Sequence, residues 1–176
     1  LNSVVALPYL TGLPALVQPG AQILILGSMP GQASLDQQRY YGHPRNQFWP
    51  LMQALFGVDA NLPYTERCQA LQQAGVALWD VIGQCQRAGS LDSAIVSQSV
   101  SFNALAELCQ LYPTINQIWL NGGKAAQSFR QYQKQFQQGS KTSAWPPASL
   151  LIRTLPSTSP AHASVSFVEK LALWQY

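Results

Sequence analysis

At 176 residues the chain has the length of one domain and can bury roughly 70% of the surface that its unfolded form would expose. Hydrophobic residues make up 47% and charged ones 10%, an ordinary core under a weakly charged, Gln-rich surface; the net charge of +3 suits a phosphate-bearing partner without demanding one, because no run of Lys or Arg concentrates it. Cys68, Cys85 and Cys109 are odd in number and lack CxxC or His-rich spacing, so they point to a reducing compartment and to three separate thiols rather than a metal site.

Along the chain, the opening LNSVVALPYLTGLP has no basic start and is broken by Pro8 and Pro14, so it does not read as a signal peptide. No apolar stretch approaches the ~20 residues of a membrane span. The expected compartment is the cytoplasm or nucleoid. Ile23–Leu26 is a four-residue apolar run ending in Gly27-Ser28-Met29-Pro30-Gly31, a buried strand delivering a tight turn. Tyr40 and Tyr41 precede His43-Pro44-Arg45-Asn46. Phe48, Leu51, Met52, Leu55 and Phe56 then follow the i, i+3, i+4, i+7 spacing of a helix that Gly57 stops. Val76–Val81 is the second strand, ending in Asp80 and Val81. Leu105, Leu108, Cys109 and Tyr112 mark a helix before Pro113, and Ile115–Leu120 a third strand. Asn121-Gly122-Gly123-Lys124 leads into a helix from Ala125 to Gln137. Residues 138–149 read as a loop, Leu150–Leu155 as the last strand, and Ser164 to Gln175 as a closing helix with Phe167, Val168, Leu171 and Trp174 on one face.

Strands alternating with helices predict an α/β fold: a three-layer α/β/α sandwich around a central, mainly parallel four-stranded sheet, with residues 1–176 as a single domain. In such a sheet, ligands bind beyond the carboxyl ends of the strands. Residues 27–49 place a backbone-rich turn, two flat aromatic rings and a polar amide within one short stretch at that edge. The turn lacks the GxxxxGK[ST] spacing of a nucleotide-triphosphate loop, so it is either a strand-ending turn or a pocket wall.

The segment GSMPGQASLDQQRYYGHPRNQFW resembles the first motif of the uracil-DNA glycosylase superfamily, and most closely its hypoxanthine-DNA glycosylase branch. Gly75–Ile82 with Arg87-Ala88-Gly89-Ser90 resembles that family's second strand and base-reading loop. Leu155–Ala163, LPSTSPAHA, resembles its late motif, whose loop enters the DNA minor groove. The ordered matches span about residues 22 to 163.

What the resemblance implies is a monofunctional enzyme acting on DNA as a monomer. It flips a deaminated base, hypoxanthine above all, out of the helix and hydrolyses its N-glycosidic bond. Gly27, Ser28 and Met29 would wall the base pocket. Much of the family carries Asp or Asn immediately before the first Pro; this chain has Met29, whose thioether cannot orient water. Asn46 is the residue that the hypoxanthine branch uses instead, although its position also suits the start of a helix. Tyr41 would stack on the extruded base, with Tyr40 as its rival, and Asp80 would accept an N–H from the base edge or else cap a loop. Ser157, Thr158 and Ser159 would meet phosphates. Lys124 would do so too, unless Gly122-Gly123-Lys124 is only a strand-to-helix turn. Where many relatives have His before Pro-Ser, this chain has Leu155, and His162 falls further along. No metal or organic cofactor is implied; some relatives hold an iron–sulfur cluster, which three cysteines cannot ligate alone. A nucleic-acid-binding module without chemistry, or a uracil- or mismatch-specific glycosylase, are the alternatives.

Overall fold

The computed structural model describes residues 6–140 and 144–175. In chain order the elements are β1 (Tyr9–Thr11), β2 (Ile23–Gly27), α1 (Gln32–Gln37), α2 (Phe48–Phe56), α3 (Tyr64–Gln73), β3 (Val76–Asp80), β4 (Ile82–Gln86), β5 (Ser101–Phe102), α4 (Leu105–Leu111), β6 (Gln117–Asn121), α5 (Gly123–Gly139), β7 (Leu151–Leu155) and α6 (Phe167–Trp174). Strands β3, β2, β6 and β7 lie in that order as a fully parallel sheet. The expected α/β/α architecture is present.

Side-chain alternation along the strands builds the two outer layers. Leu24 and Leu26 of β2, Ala77 of β3, and Ile118 and Leu120 of β6 face α4 and α5, packing on Leu105, Leu108, Ala125, Phe129 and Tyr132. Ile25, Val76, Leu78 and Trp119 face the other way, onto Phe48, Leu51 and Met52 of α2, Leu71 of α3 and Trp174 of α6. Both faces are covered, which is why the strands read as continuous apolar runs rather than as alternating ones.

The sequence reading misplaced or missed several elements. β6 begins at Gln117 and reaches Asn121, so its hydrogen bonding extends one residue past the apolar run, and α5 is longer at both ends than the predicted 125–137. α6 starts at Phe167, not Ser164, because Ser166 forms a capping box with Glu169. Helices α1 and α3 were not foreseen; α3 buries only Cys68 and Leu71, so its sequence, YTERCQALQQ, carries little apolar period. A second, three-stranded antiparallel sheet, in the order β1-β4-β5, was also missed, since its strands are two to five residues long and rich in polar residues. In the segment expected to be a loop, residues 141–143 lie outside the described residues, and Trp145 is buried against Phe129, Tyr132 and Phe136.

Candidate active site

Because the four strands are parallel, their carboxyl ends form one edge, and on it Gly27 pairs with Asp80 while Asn121 pairs with Leu155. A cavity of about 420 Å³ opens there, within the size range of small-molecule sites. Its lining comes from the turn after β2, the segment around Tyr41–Asn46, the loop at Ser90–Ser93 and the late loop at Ser157–His162.

Three residues form its floor. A Cβ at Gly27 would lie 2.5 Å from Asp80 Oδ1 and 3.4 Å from the Tyr41 hydroxyl, so only glycine allows carboxylate and phenol to approach this close to the strand. Asp80 is 4% exposed, and its Oδ2 has no hydrogen-bond partner. The Asp80 carboxyl is pushed up to about 7, chiefly by burial and secondarily by the negative charge of Asp92, with the Arg87 guanidinium opposing both. Tyr41 is partly exposed, sits at φ 54°, and stacks on Phe48 with ring centroids 3.9 Å apart and 19° between planes. That left-handed backbone is uncommon for an aromatic residue and turns the ring under the cavity. Burial, then the Asp80 charge, raise the pKa of its phenol, which is therefore protonated at neutral pH.

The other members divide clearly. Tyr40 is a core strut: its hydroxyl donates to the Pro14 carbonyl at 2.7 Å, and its own carbonyl accepts from Trp49 Nε1. Both tyrosines line the cavity, and of the two Tyr41 is the partly exposed one. Ser28 Oγ donates to Asp92 Oδ1 at 2.7 Å, tying the first turn to the loop after β4. Met29 borders the cavity, but its buried side chain packs with Ile82, Cys85 and Ile95. It is thus anchored in a small apolar cluster and is not a polar position awaiting replacement. Asn46 lines the cavity while its Oδ1 accepts from the Phe48 N–H at 2.9 Å, so the helix-start role and the cavity position coexist in one side chain. Its Nδ2 has no hydrogen-bond partner among the described residues.

In the late loop, Thr158 is not free for phosphate. It is 1% exposed, its N–H donates to Asn121 Oδ1 at 3.0 Å, its Oγ1 accepts from Asn121 Nδ2 at 3.0 Å, and its carbonyl accepts from Gln47 N at 3.0 Å. Ser157 Oγ and Ser159 Oγ accept from the backbone two residues on, at Ser159 and Ala161, and keep their hydroxyl protons for a ligand. Lys124 stands one residue beyond the cavity lining, on the first turn of α5. Leu155 is buried in the core, whereas His162 borders the cavity. Among the described residues no group of three or more His, Cys, Asp or Glu is arranged to hold a metal, and no helix is long and apolar enough to cross a membrane.

Sequence reasoning missed Asn121 as a member of the site. Its amide bonds Thr158 twice and reaches the Tyr41 hydroxyl at 3.3 Å, so one buried side chain locks the late loop to the stacking ring. Its place at the last residue of a buried strand was the available signal. Arg87 was read only as part of a loop. It is buried, with Nη2 donating to the Pro30 carbonyl and Nε to that of Gly89, each at 2.8 Å.

The family model of the uracil DNA glycosylase superfamily matches residues 14–176. The chain is 34% identical over 117 residues to a protein named hypoxanthine DNA glycosylase from Methanosarcina barkeri, and 35% identical over the same length to one of that name from Methanosarcina acetivorans. Each match covers 66% of this chain and 73% of the relative. A solution NMR structure of a candidate uracil DNA glycosylase from Methanosarcina acetivorans superposes with a TM-score of 0.74 at 28% identity, covering 96% of this chain and 98% of that one. With the family match running through every element of the cavity edge, from the first strand of the parallel sheet to the closing helix, the chain belongs to the uracil DNA glycosylase superfamily.

Proposed function

We propose that the protein is a monofunctional DNA glycosylase that takes hypoxanthine out of the helix into this cavity and hydrolyses its N-glycosidic bond, leaving an abasic site. The observation that carries the reading is the floor of the cavity, where a buried carboxylate with an unpartnered oxygen lies beside a partly exposed ring. The names of the Methanosarcina relatives support hypoxanthine as the base. The base stacks on Tyr41, an interaction worth ~1–3 kcal/mol and indifferent to base identity. Asp80 reads the edge. In either protonation state it keeps an acceptor oxygen for the N1–H of hypoxanthine, where adenine carries an acceptor.

Hydrolysis falls to Asn46. The Phe48 N–H fixes its amide, which leaves Nδ2 and the second lone pair of Oδ1 to orient a water. An amide is a poor proton acceptor, yet cleavage through an oxocarbenium-like sugar needs a well-placed water and a negative environment more than a strong base. The DNA phosphates contribute to that environment, and Ser157, Ser159 and Lys124 meet them at the rim. The enzyme works as a monomer in the cytoplasm.

The test is a panel of duplexes carrying inosine, uracil, xanthine or mismatched thymine, treated with alkali after incubation to cut at abasic sites. Scission at inosine is the expected outcome. A protein that shifts the DNA without creating abasic sites is a binder, and scission at uracil alone assigns a different base. Asp80→Ala sharpens the reading: it costs inosine more than the best secondary substrate, because a site built to bond one edge is left unpaired by another. Tyr41→Ala costs all substrates alike. Equal losses for Asp80→Ala return Asp80 to a structural role.

A further inference from the structure

Lys170 takes no part in the chemistry above, and packing alone does not account for it. It lies on α6, 1% exposed, with Nζ donating to Gln47 Oε1 at 2.8 Å and to the His162 carbonyl at 3.0 Å. Both acceptors are neutral. A buried ammonium satisfied only by neutral oxygens is costly beside an apolar side chain of similar volume, and burial lowers its pKa accordingly. Both acceptor residues are partly exposed, so water can replace the ammonium there if it is removed.

What the lysine does is close a ring. Gln47 N donates to the Thr158 carbonyl, so Gln47 is tied to the late loop through its backbone and to Lys170 through its side chain. Lys170 grips the same loop four residues further on, at His162. Asn46 is the residue immediately before Gln47. The ring therefore sets the distance between the segment that carries the water-orienting amide and the loop that carries the phosphate-facing hydroxyls.

We propose that Lys170 is a positioning residue for base excision: by joining Gln47 to the end of the Ser157–His162 loop, it keeps that loop in register with Asn46. The proposal rests on the reading of Asn46 given above. An error of about 1 Å between a held sugar-phosphate and its attacking water is enough to cost ~100-fold in rate, while leaving binding almost untouched.

Single-turnover excision of inosine from a duplex, measured over a range of enzyme concentrations, separates the maximal rate from the half-saturating concentration. Lys170→Met is expected to lower the maximal rate at least ~10-fold and to move half-saturation by less than ~3-fold. Its melting temperature should stay at or above that of the parent. Gln47→Ala opens the ring from the other side and should lose rate by a similar factor; the double variant should be no slower than the worse single one, since all three break the same link. A Lys170→Met protein within twofold of the parent overturns the proposal. So does one that fails to fold, loses rate only in step with its folded fraction, or combines multiplicatively with Gln47→Ala. A parent that excises no base refutes the proposed function, and a parent that excises inosine beside unaffected variants refutes only the ring.

Discussion

The two walls of the cavity are each fastened by a buried cation bonded to carbonyl oxygens, yet the cations sit in opposite electrostatic settings. On the wall made by the first turn and the loop after β4, Arg87 holds the Pro30 and Gly89 carbonyls, and Ser28 and Ser90 add bonds to Asp92 and Gln32 N. This cation acts on a carboxylate, since its charge opposes the rise in the Asp80 pKa. On the wall made by the late loop and the start of α2, Lys170 bonds two neutral oxygens, and α6 gives the loop a second anchor from Trp174 Nε1 to the Pro156 carbonyl. The lesson is a division of labour. On one wall the cation lies near a carboxylate, with Arg87 Nη1 and Asp80 Oδ2 both buried and unpartnered; on the other the cation meets only neutral oxygens and, in the function proposed above, spans the water-orienting and phosphate-facing groups.

The comparison breaks most visibly at Asn46. A serine there can still accept from the Phe48 N–H, so Asn46→Ser should melt close to the parent while single-turnover excision falls at least ~100-fold, about 2.7 kcal/mol, on every base that is excised. A loss of only a few-fold would reduce Asn46 to its helix-start role and leave the late-loop wall without chemistry.

Arg87→Met tests the other wall in a different currency. It leaves the buried Pro30 carbonyl without its donor and Asp80 without its nearby cation, so it should destabilise by about 1–3 kcal/mol. At about 2–4 °C per kcal/mol for a chain of this size, thermal unfolding would register it clearly. Equal melting temperatures for Arg87→Met and Lys170→Met would erase the contrast between the two cations.

A further effect concerns pH. The Asp80 carboxyl has its folded-state pKa raised from 3.8 to about 7, so its contribution favours the folded state fully below the unfolded value and is lost as pH rises through about 7. Asp80→Asn should therefore be more stable than the parent at pH 8, by up to roughly 4 kcal/mol. The gap should close as the pH falls towards 4. A gap independent of pH would place the ionisation of Asp80 elsewhere.

The sheet, its strand ends and therefore the edge bearing the cavity were legible in the sequence, because strands covered on both faces must be apolar throughout and Ile23–Leu26 and Val76–Leu78 are. Gly27 and Asp80 close those strands, whereas Tyr41 and Asn46 were legible only through the resemblance of their segment to the uracil-DNA glycosylase superfamily. The choice between Tyr40 and Tyr41 was not legible from pattern, since both are tyrosines in one turn. The positive φ of Tyr41 and the bonds of Tyr40 to Pro14 and Trp49 separate them, and both depend on tertiary contacts. Thr158, Asn121, Arg87 and Lys170 owe their roles to partners 37, 37, 57 and 123 residues away. No local spacing encodes such pairs. Helix α3 escaped notice because its hold on the core runs through Arg67 lying over the Trp49 ring of α2 as well as through apolar residues.

A parallel sheet that gathers the cavity loops at one edge leaves the strand entries at the opposite edge outside that cavity. There the entries to the strands are laced by backbone bonds from Gln22 N to Gly75 O, Asn116 N to Gln22 O and Leu151 N to Asn116 O, with the Thr114 hydroxyl donating to the Ala21 carbonyl beside them. None of Gln18–Gly20 or Pro147–Ser149 lines the cavity. Gln18–Gly20 and Pro147–Ser149 are thus natural places to attach a fluorophore, a surface tether or a fused effector domain, with the catalytic edge pointing away from the cargo.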